Sequence, residues 1–227
     1  MARKDITGRI LNFIHQYSIN PETREIYLNG YLEDANKESS EIDYRVSSLF
    51  LKNLQYLVSQ SEEKPIFIHL STIGGDWGAG ITIYDAISLC PCHVTAIVHG
   101  EAYSIGSLIL QAADVRLVMP SSYCMIHEGS IEVPSSTQKV ASSTITWSKN
   151  LTTLMLNIYA EKCSSGKYFV DGGKSEKEVR KYLQGKIDRQ EDWFLSAEDA
   201  VFYGFADDIV GKNNMYQNLS TILKYGV

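Results

Sequence analysis

The chain has 227 residues, 44% of them hydrophobic, and a net charge of −6, which supplies apolar material for one sizeable core. No basic cluster exceeds a pair such as Arg3-Lys4, so the clustered cations that neutralise a phosphate backbone are missing and nucleic acid is excluded as a partner. No apolar run reaches signal-peptide or membrane-spanning length, so the sequence predicts a soluble, cytoplasmic protein with no membrane partner.

Taken in chain order, the apolar pattern alternates between helical and strand periods. Ile6, Ile10, Phe13 and Ile14 mark a short helix over residues 5–16, and Pro21 breaks the chain into a turn over 18–24. Arg24 to Leu32 reads as a strand, and the stripe Ile42, Val46, Leu49, Phe50, Leu54, Leu57 and Val58 as a helix. A strand over 64–75 ends on the pair Gly74-Gly75, and a helix over 79–90 follows with Ile83, Ala86, Ile87 and Cys90 on one face. Residues 93–102 form a strand, 105–113 a buried helix, and 115–127 a strand, a turn and a second strand. Strands alternating with helices predict an α/β fold with parallel pairing.

Gln138 to Lys162 is one long helix, with Val140, Trp147, Leu151, Leu154, Met155, Ile158 and Tyr159 on one face and a Ser/Thr-rich flank. Two readings stand side by side: a core stripe, or a projecting arm that buries its stripe against another subunit. Residues 164–175 read as a loop or hairpin insertion. Ser175 and Glu178 have capping-box spacing, Ser196 and Asp199 a related one, and 205–210 form a last short strand. The tail beyond Lys212 is polar and then weakly amphipathic. Cys90-Pro91-Cys92-His93 lacks CxxC spacing and has no second pair, so Cys90, Cys92, Cys124 and Cys163 read as free thiols with no metal or organic cofactor implied.

The stretch GEAYSIGS, residues 100–107, carries the chemistry. Ser104 sits between small residues where a strand gives way to a helix. A serine there either caps the helix or stands exposed as a nucleophile beside unpaired N–H groups, with Ile105 as one oxyanion donor. Gly75 offers a second. A hydroxyl nucleophile needs a base; His127, at the end of a strand, differs from His15, His69, His93 and His99, which read as packing or surface residues. The acid that orients the base is left open among Asp85, Asp114, Asp188 and Asp192.

Four segments settle on a family: HLSTIGGDWGAGITIYDAI, GEAYSIGSLILQAA, MPSSYCMIHE and EDWFLSAEDAVFYGFADDIV. Together, and in this order, they resemble the ClpP family, the proteolytic subunit of the Clp protease, over about residues 5–210. The resemblance implies one peptidase domain over 1–227, a ClpP/crotonase-like α/β spiral of β-β-α units with a projecting handle helix. The head would span about 1–130 and 188–227, and the handle about 131–187. It implies Ser104 as nucleophile, His127 as general base and Asp192 as orienting acid, with Gly75 and Ile105 as the oxyanion hole. Asp76, Trp77 and Gly129 would lie along the bound peptide, pairing with it as extended backbone. It also implies polypeptide substrates, self-assembly into a heptamer or a double-ring tetradecamer, and an AAA+ unfoldase that docks near Phe67, His69 and Leu89.

The chain departs from the family pattern. Thr72-Ile73 replace Ser-Pro before the glycine pair, Glu128-Gly129 replace Gln-Pro after the histidine, and Tyr103 and Ser107 replace alanines near the serine. The alternatives are a catalytically impaired ClpP-like scaffolding ring subunit, and an enoyl-CoA hydratase-type enzyme, which has paired oxyanion N–H groups but no need of a serine.

Overall fold

The computed structural model describes residues 2–29, 41–131, 137–212 and 214–225. The end of the strand expected through Leu32 lies outside them. The elements follow one another as α1 (Ala2–Tyr17), β1 (Ile19–Asn20), β2 (Glu25–Leu28), β3 (Glu41–Ile42), α2 (Tyr44–Gln60), β4 (Ile66–Thr72), β5 (Gly74–Gly75), α3 (Trp77–Ser88), β6 (Val94–Tyr103) and α4 (Ile105–Leu110). The second half comprises β7 (Val115–Val118), β8 (Tyr123–Ile126), α5 (Gln138–Cys163), α6 (Lys167–Asp171), α7 (Glu176–Gln190), β9 (Trp193–Ser196), α8 (Ala197–Phe202), β10 (Asp208–Ile209) and α9 (Leu219–Tyr225).

The main sheet runs β1-β2-β4-β6-β7-β10, parallel from β2 onward, with β1 antiparallel at the edge. Its strands are apolar on both faces, as buried parallel strands must be. Ile66, Ile68 and Leu70 of β4 and Val94, Ala96 and Val98 of β6 belong to the large core built with the helices. The alternate residues Phe67 and Ile97 join Leu117, Val210 and Ile222 in a second, smaller cluster, which the tail helix α9 covers. The tail therefore seals the far face of the sheet, a role its weak amphipathic pattern does not announce.

β6 is the strand on which the site depends. Its first half pairs with β4 and β7. Register with β4 shifts between Leu70↔Val98 and Thr72↔Ala102, and the second half, Glu101 to Tyr103, pairs with β8 instead. Gly100 sits in this bulge with φ +75°, a backbone state that glycine adopts without strain. Ser122 pins the corner, accepting from Gly100 N–H at 3.0 Å and donating to Val98 O at 3.0 Å.

Three boundaries differ from expectation. Ile42 belongs to β3, not to the following helix, because Asp43 caps α2 by accepting from Arg45 N–H and Val46 N–H at 2.9 Å. Residues 167–171 form α6, not a loop, because the ring of Phe169 is wholly buried against Tyr168 and Tyr182, an attraction that the flanking glycines hide. β9 had no counterpart in the sequence reading. The capping box at Ser175 and Glu178 forms as its spacing predicts.

The core reading of the long helix describes one half of α5. Met155, Leu156, Ile158, Tyr159 and Cys163 are buried, whereas Val140, Ile145, Trp147 and Leu154 are exposed. In the exposed half, Thr144 and Thr146 return their hydroxyls to the carbonyls of Val140 and Ser142 at 3.0 and 2.9 Å, so the polar flank satisfies itself within the helix. Among the described residues, no helix is long and apolar enough to cross a membrane.

Candidate active site

Ser104 follows the last residue of β6 and precedes the first of α4. Its φ of 54° and ψ of −126° lie where a non-glycine residue is strained, and its side chain makes no capping bond to the helix. The capping reading of this serine therefore fails. Its N–H is tied to Met125 O on β8 at 2.8 Å, and its Oγ lies 2.8 Å from His127 Nε2. The other ring nitrogen, His127 Nδ1, lies 2.9 Å from Asp192 Oδ1. His127 is about a quarter exposed and Asp192 about half.

Strand register brings these three together. β8 lies between β6 and β9, parallel to the first and antiparallel to the second. Tyr103 faces Met125, so Ser104 comes level with the end of β8 and His127 lies just beyond. Ile126 faces Trp193, and one step past that pair His127 and Asp192 stand opposite each other. Glu191, with φ 61°, turns the chain out of α7 so that Asp192 enters this register. The three other aspartates are engaged differently: Asp85 is exposed on α3, Asp114 accepts from Val94 N–H at 2.8 Å, and Asp188, which lines a cavity beside His127 and Asp192, accepts from Gln184 Nε2 at 2.8 Å.

The glycine pair lies directly against the serine. A Cβ on Gly74 would stand 2.6 Å from Ser104 Cβ, and one on Gly75 would stand 2.3 Å from Ile42 O. The close approach that needs Gly74 is thus to Ser104, and the one that needs Gly75 is to the chain's own β3. The proline that this turn lacks is replaced by a hydrogen bond, Gly74 N–H donating to the buried Thr72 Oγ1 at 3.1 Å. Asp76 N–H donates to Ile42 O at 2.8 Å. Peptide alternation along the β3–β5 ladder then turns the N–H of Gly75 to the opposite edge, toward the groove it lines. Ile105 is the first residue of α4, and its N–H has no carbonyl to reach within the helix.

A groove of about 480 Å³ opens beside the serine. Its walls include Gly75, Asp76, Trp77 and Gly129, and also Trp147 and Leu151 from the exposed half of α5. Sequence reading assigned those two α5 residues only to a helical stripe; their spacing carries no sign that the stripe meets the groove. The extended backbone expected at Asp76-Trp77 stops at Asp76. Asp76 caps α3 through Ala79 N–H at 2.8 Å, and Trp77 is already helical, so the strand edge available at this wall is Gly75. Beyond His127, residues 128–131 are exposed and irregular, with Gly129 at φ +79°.

His69 and His99, read as packing or surface residues, form a second, half-buried chain away from the groove. His69 Nε2 lies 2.9 Å from Glu25 Oε2 and His69 Nδ1 2.9 Å from His99 Nε2. Burial alone would raise the Glu25 carboxyl, but hydrogen bonds from His69, Thr23 and Tyr27 and the attraction of His69 hold it below the ordinary range. Burial, and then the charge of His69, lower His99. Of the three docking positions implied by the resemblance, Phe67 is buried in the cluster beneath α9, His69 is held in this chain, and Leu89 stands out in solvent. Among the described residues, no group of three or more His, Cys, Asp or Glu side chains is arranged to hold a metal ion.

Comparison with known proteins gives the family. The family described as Clp protease matches residues 32–213. The ATP-dependent Clp protease proteolytic subunit 1 of Chlamydia felis is 30% identical over 187 residues, which cover 80% of this chain and 83% of that protein. Proteolytic subunit 2 of Chlamydia trachomatis serovar D is 32% identical over 175 residues, covering 75% and 77% of the two chains. Proteolytic subunit 3 of Synechococcus sp. strain CC9605 is 27% identical over 177 residues, covering 77% and 81%. A parallel α/β sheet, a long helix and a match over most of the length lead to one assignment: the chain belongs to the Clp protease family.

Proposed function

We propose that this chain is a serine endopeptidase, the proteolytic subunit of a ring-forming Clp-type protease that cleaves unfolded polypeptides. The observation that carries the reading is the unbroken chain from Ser104 Oγ through His127 to Asp192, with links of 2.8 and 2.9 Å. With Nδ1–H donating to the Asp192 carboxylate, Nε2 is the acceptor that takes the Ser104 proton. The alkoxide character so gained attacks the scissile carbonyl. The N–H groups of Gly75 and Ile105 receive the developing oxyanion, which they meet already oriented. Collapse expels the amine with the proton held at Nε2, and His127 then activates a water that hydrolyses the acyl-enzyme.

The edge of Gly75 and the irregular segment after His127 flank the groove, where a peptide would lie extended and be held by main-chain bonds. Such binding suits loose sequence preference. The exposed Val140, Ile145, Trp147 and Leu154 on α5 support burial of this handle against another subunit. Partnership with an AAA+ unfoldase rests on the relatives' names, which call them ATP-dependent. The impaired-scaffold alternative rests on Glu128 and Gly129, which leave the segment after the base open.

A fluorophosphonate probe separates the two readings, because only an activated serine reacts readily. Wild-type protein labels at Ser104 and hydrolyses a peptide substrate, and Ser104→Ala does neither while keeping its assembly. An unlabelled wild-type chain, or a Ser104→Ala variant with wild-type turnover, overturns the reading.

A further inference from the structure

The peptide unit between Ser104 and Ile105 has two ends with different duties. Its N–H is the oxyanion donor of the proposed reaction, and its C=O points the opposite way because the peptide is planar and trans. That carbonyl is held twice by one residue. Ser107 N–H donates to it at 3.0 Å, and Ser107 Oγ donates to it at 2.7 Å. With its only proton committed, Ser107 Oγ accepts from Tyr159 OH at 2.6 Å. Tyr159 belongs to the buried half of α5, so the chain of bonds runs from the handle helix to the nucleophile's own peptide. Both members are almost wholly buried, at 0% and 1% exposure.

We propose that Ser107, backed by Tyr159, is a positioning residue that fixes and polarises the Ser104–Ile105 peptide. The inference rests on the reading of Ser104 as nucleophile. Ser104 sits in a strained backbone state, so the orientation of the following peptide depends on what anchors it. A donor on the carbonyl holds the opposed N–H aimed at the groove and makes it the stronger donor, since linked hydrogen bonds polarise one another. The Tyr159 hydroxyl strengthens the Ser107 donor in the same way and prevents it from rotating off its target.

The test uses Ser107→Ala, Tyr159→Phe and the double variant in the full chain, read by fluorophosphonate labelling and peptide hydrolysis across pH. Ser107→Ala lowers the labelling rate and kcat about tenfold with KM unchanged. That figure corresponds to the loss of one net hydrogen bond of about 1.4 kcal/mol. The loss is uniform in pH, because the base is untouched. Tyr159→Phe gives a smaller loss that disappears in the Ser107→Ala background, as it must if Tyr159 acts through Ser107. Ser107→Thr, which keeps the hydroxyl, restores most of the rate.

Wild-type labelling by Ser107→Ala, or additive losses in the double variant, overturns the inference while leaving Ser104 in its role. A wild-type chain that does not label removes the nucleophile and the inference with it. Loss of cooperative unfolding in both single variants assigns the pair a purely structural role and equally overturns the proposal.

Discussion

Gly74→Ala tests how tightly Ser104 is built into the fold. The added methyl carbon meets Ser104 Cβ at 2.6 Å and Tyr103 O at 2.9 Å, about 0.8 Å and 0.5 Å inside ordinary contact distance. Neither neighbour is the tip of a flexible side chain. Gly74 also has φ +104°, which costs a residue with a Cβ about 1–3 kcal/mol. Overpacking adds about 1–3 kcal/mol, so the variant is expected to lose about 2–6 kcal/mol. Gly173→Ala is the matched control: φ is +58°, but nothing lies within 4 Å of the new carbon, so only conformational strain of about 1–2 kcal/mol remains. Relief of the Gly74 clash displaces Ser104, and a misplacement approaching 1 Å costs on the order of 100-fold in rate. Denaturant unfolding gives the stability difference, and fluorophosphonate labelling gives the reactivity. If Gly74→Ala unfolds at the Gly173→Ala midpoint and labels at the wild-type rate, the approach of Gly74 does not place Ser104.

Three further outcomes are expected. Arg116 is buried and bonds the exposed Asp207, the buried Gln111 Oε1 at 2.6 Å and the buried Gly204 O at 2.9 Å, so Arg116→Ala strands two buried acceptors and costs about 2–4 kcal/mol in urea unfolding. Glu25→Gln destabilises at pH 7: a carboxyl whose folded pKa is depressed contributes fully above its unfolded value near 4.5 and loses that contribution as pH falls through the lower folded value. Thermal unfolding of variant and wild type therefore converges below about pH 4.5, and a gap that stays constant down to pH 3 refutes this account. Ile222→Asp puts a charge into the fully buried centre of the α9 cluster, and release of the helix bares Phe67, Ile97 and Leu117 to a hydrophobic dye. Unchanged dye binding would mean that α9 does not cover this face.

Much of the architecture was legible locally. Period-2 and period-3.6 apolar patterns marked most strands and helices, and the capping residues Ser175 and Ser196 closed their helices at the positions their spacing predicts. Ile42, α6 and β9 escaped because their placement depends on remote partners: Ile42 on the parallel pairing of β3 with β5, Phe169 on aromatic rings from α7, and β9 on the edge of β8. Four residues, Trp193 to Ser196, are too few for a periodicity to assert itself.

By itself the sequence determined the inventory: a serine at a strand-to-helix junction, a histidine at a strand end, a glycine pair, and a family pattern that names them in order. Chemistry left four aspartates equal, because any carboxylate can orient an imidazole and side-chain type carries no information about distance. The family pattern pointed to Asp192, and the tertiary structure shows how it comes near: the antiparallel register of β8 and β9 sets it opposite His127, Oδ1 at 2.9 Å from Nδ1. The tertiary structure also cut the long helix into a buried half and an exposed half, and led the buried half through Tyr159 and Ser107 to the Ser104–Ile105 peptide. Contacts between residues 52 positions apart are made by packing, which no local pattern encodes.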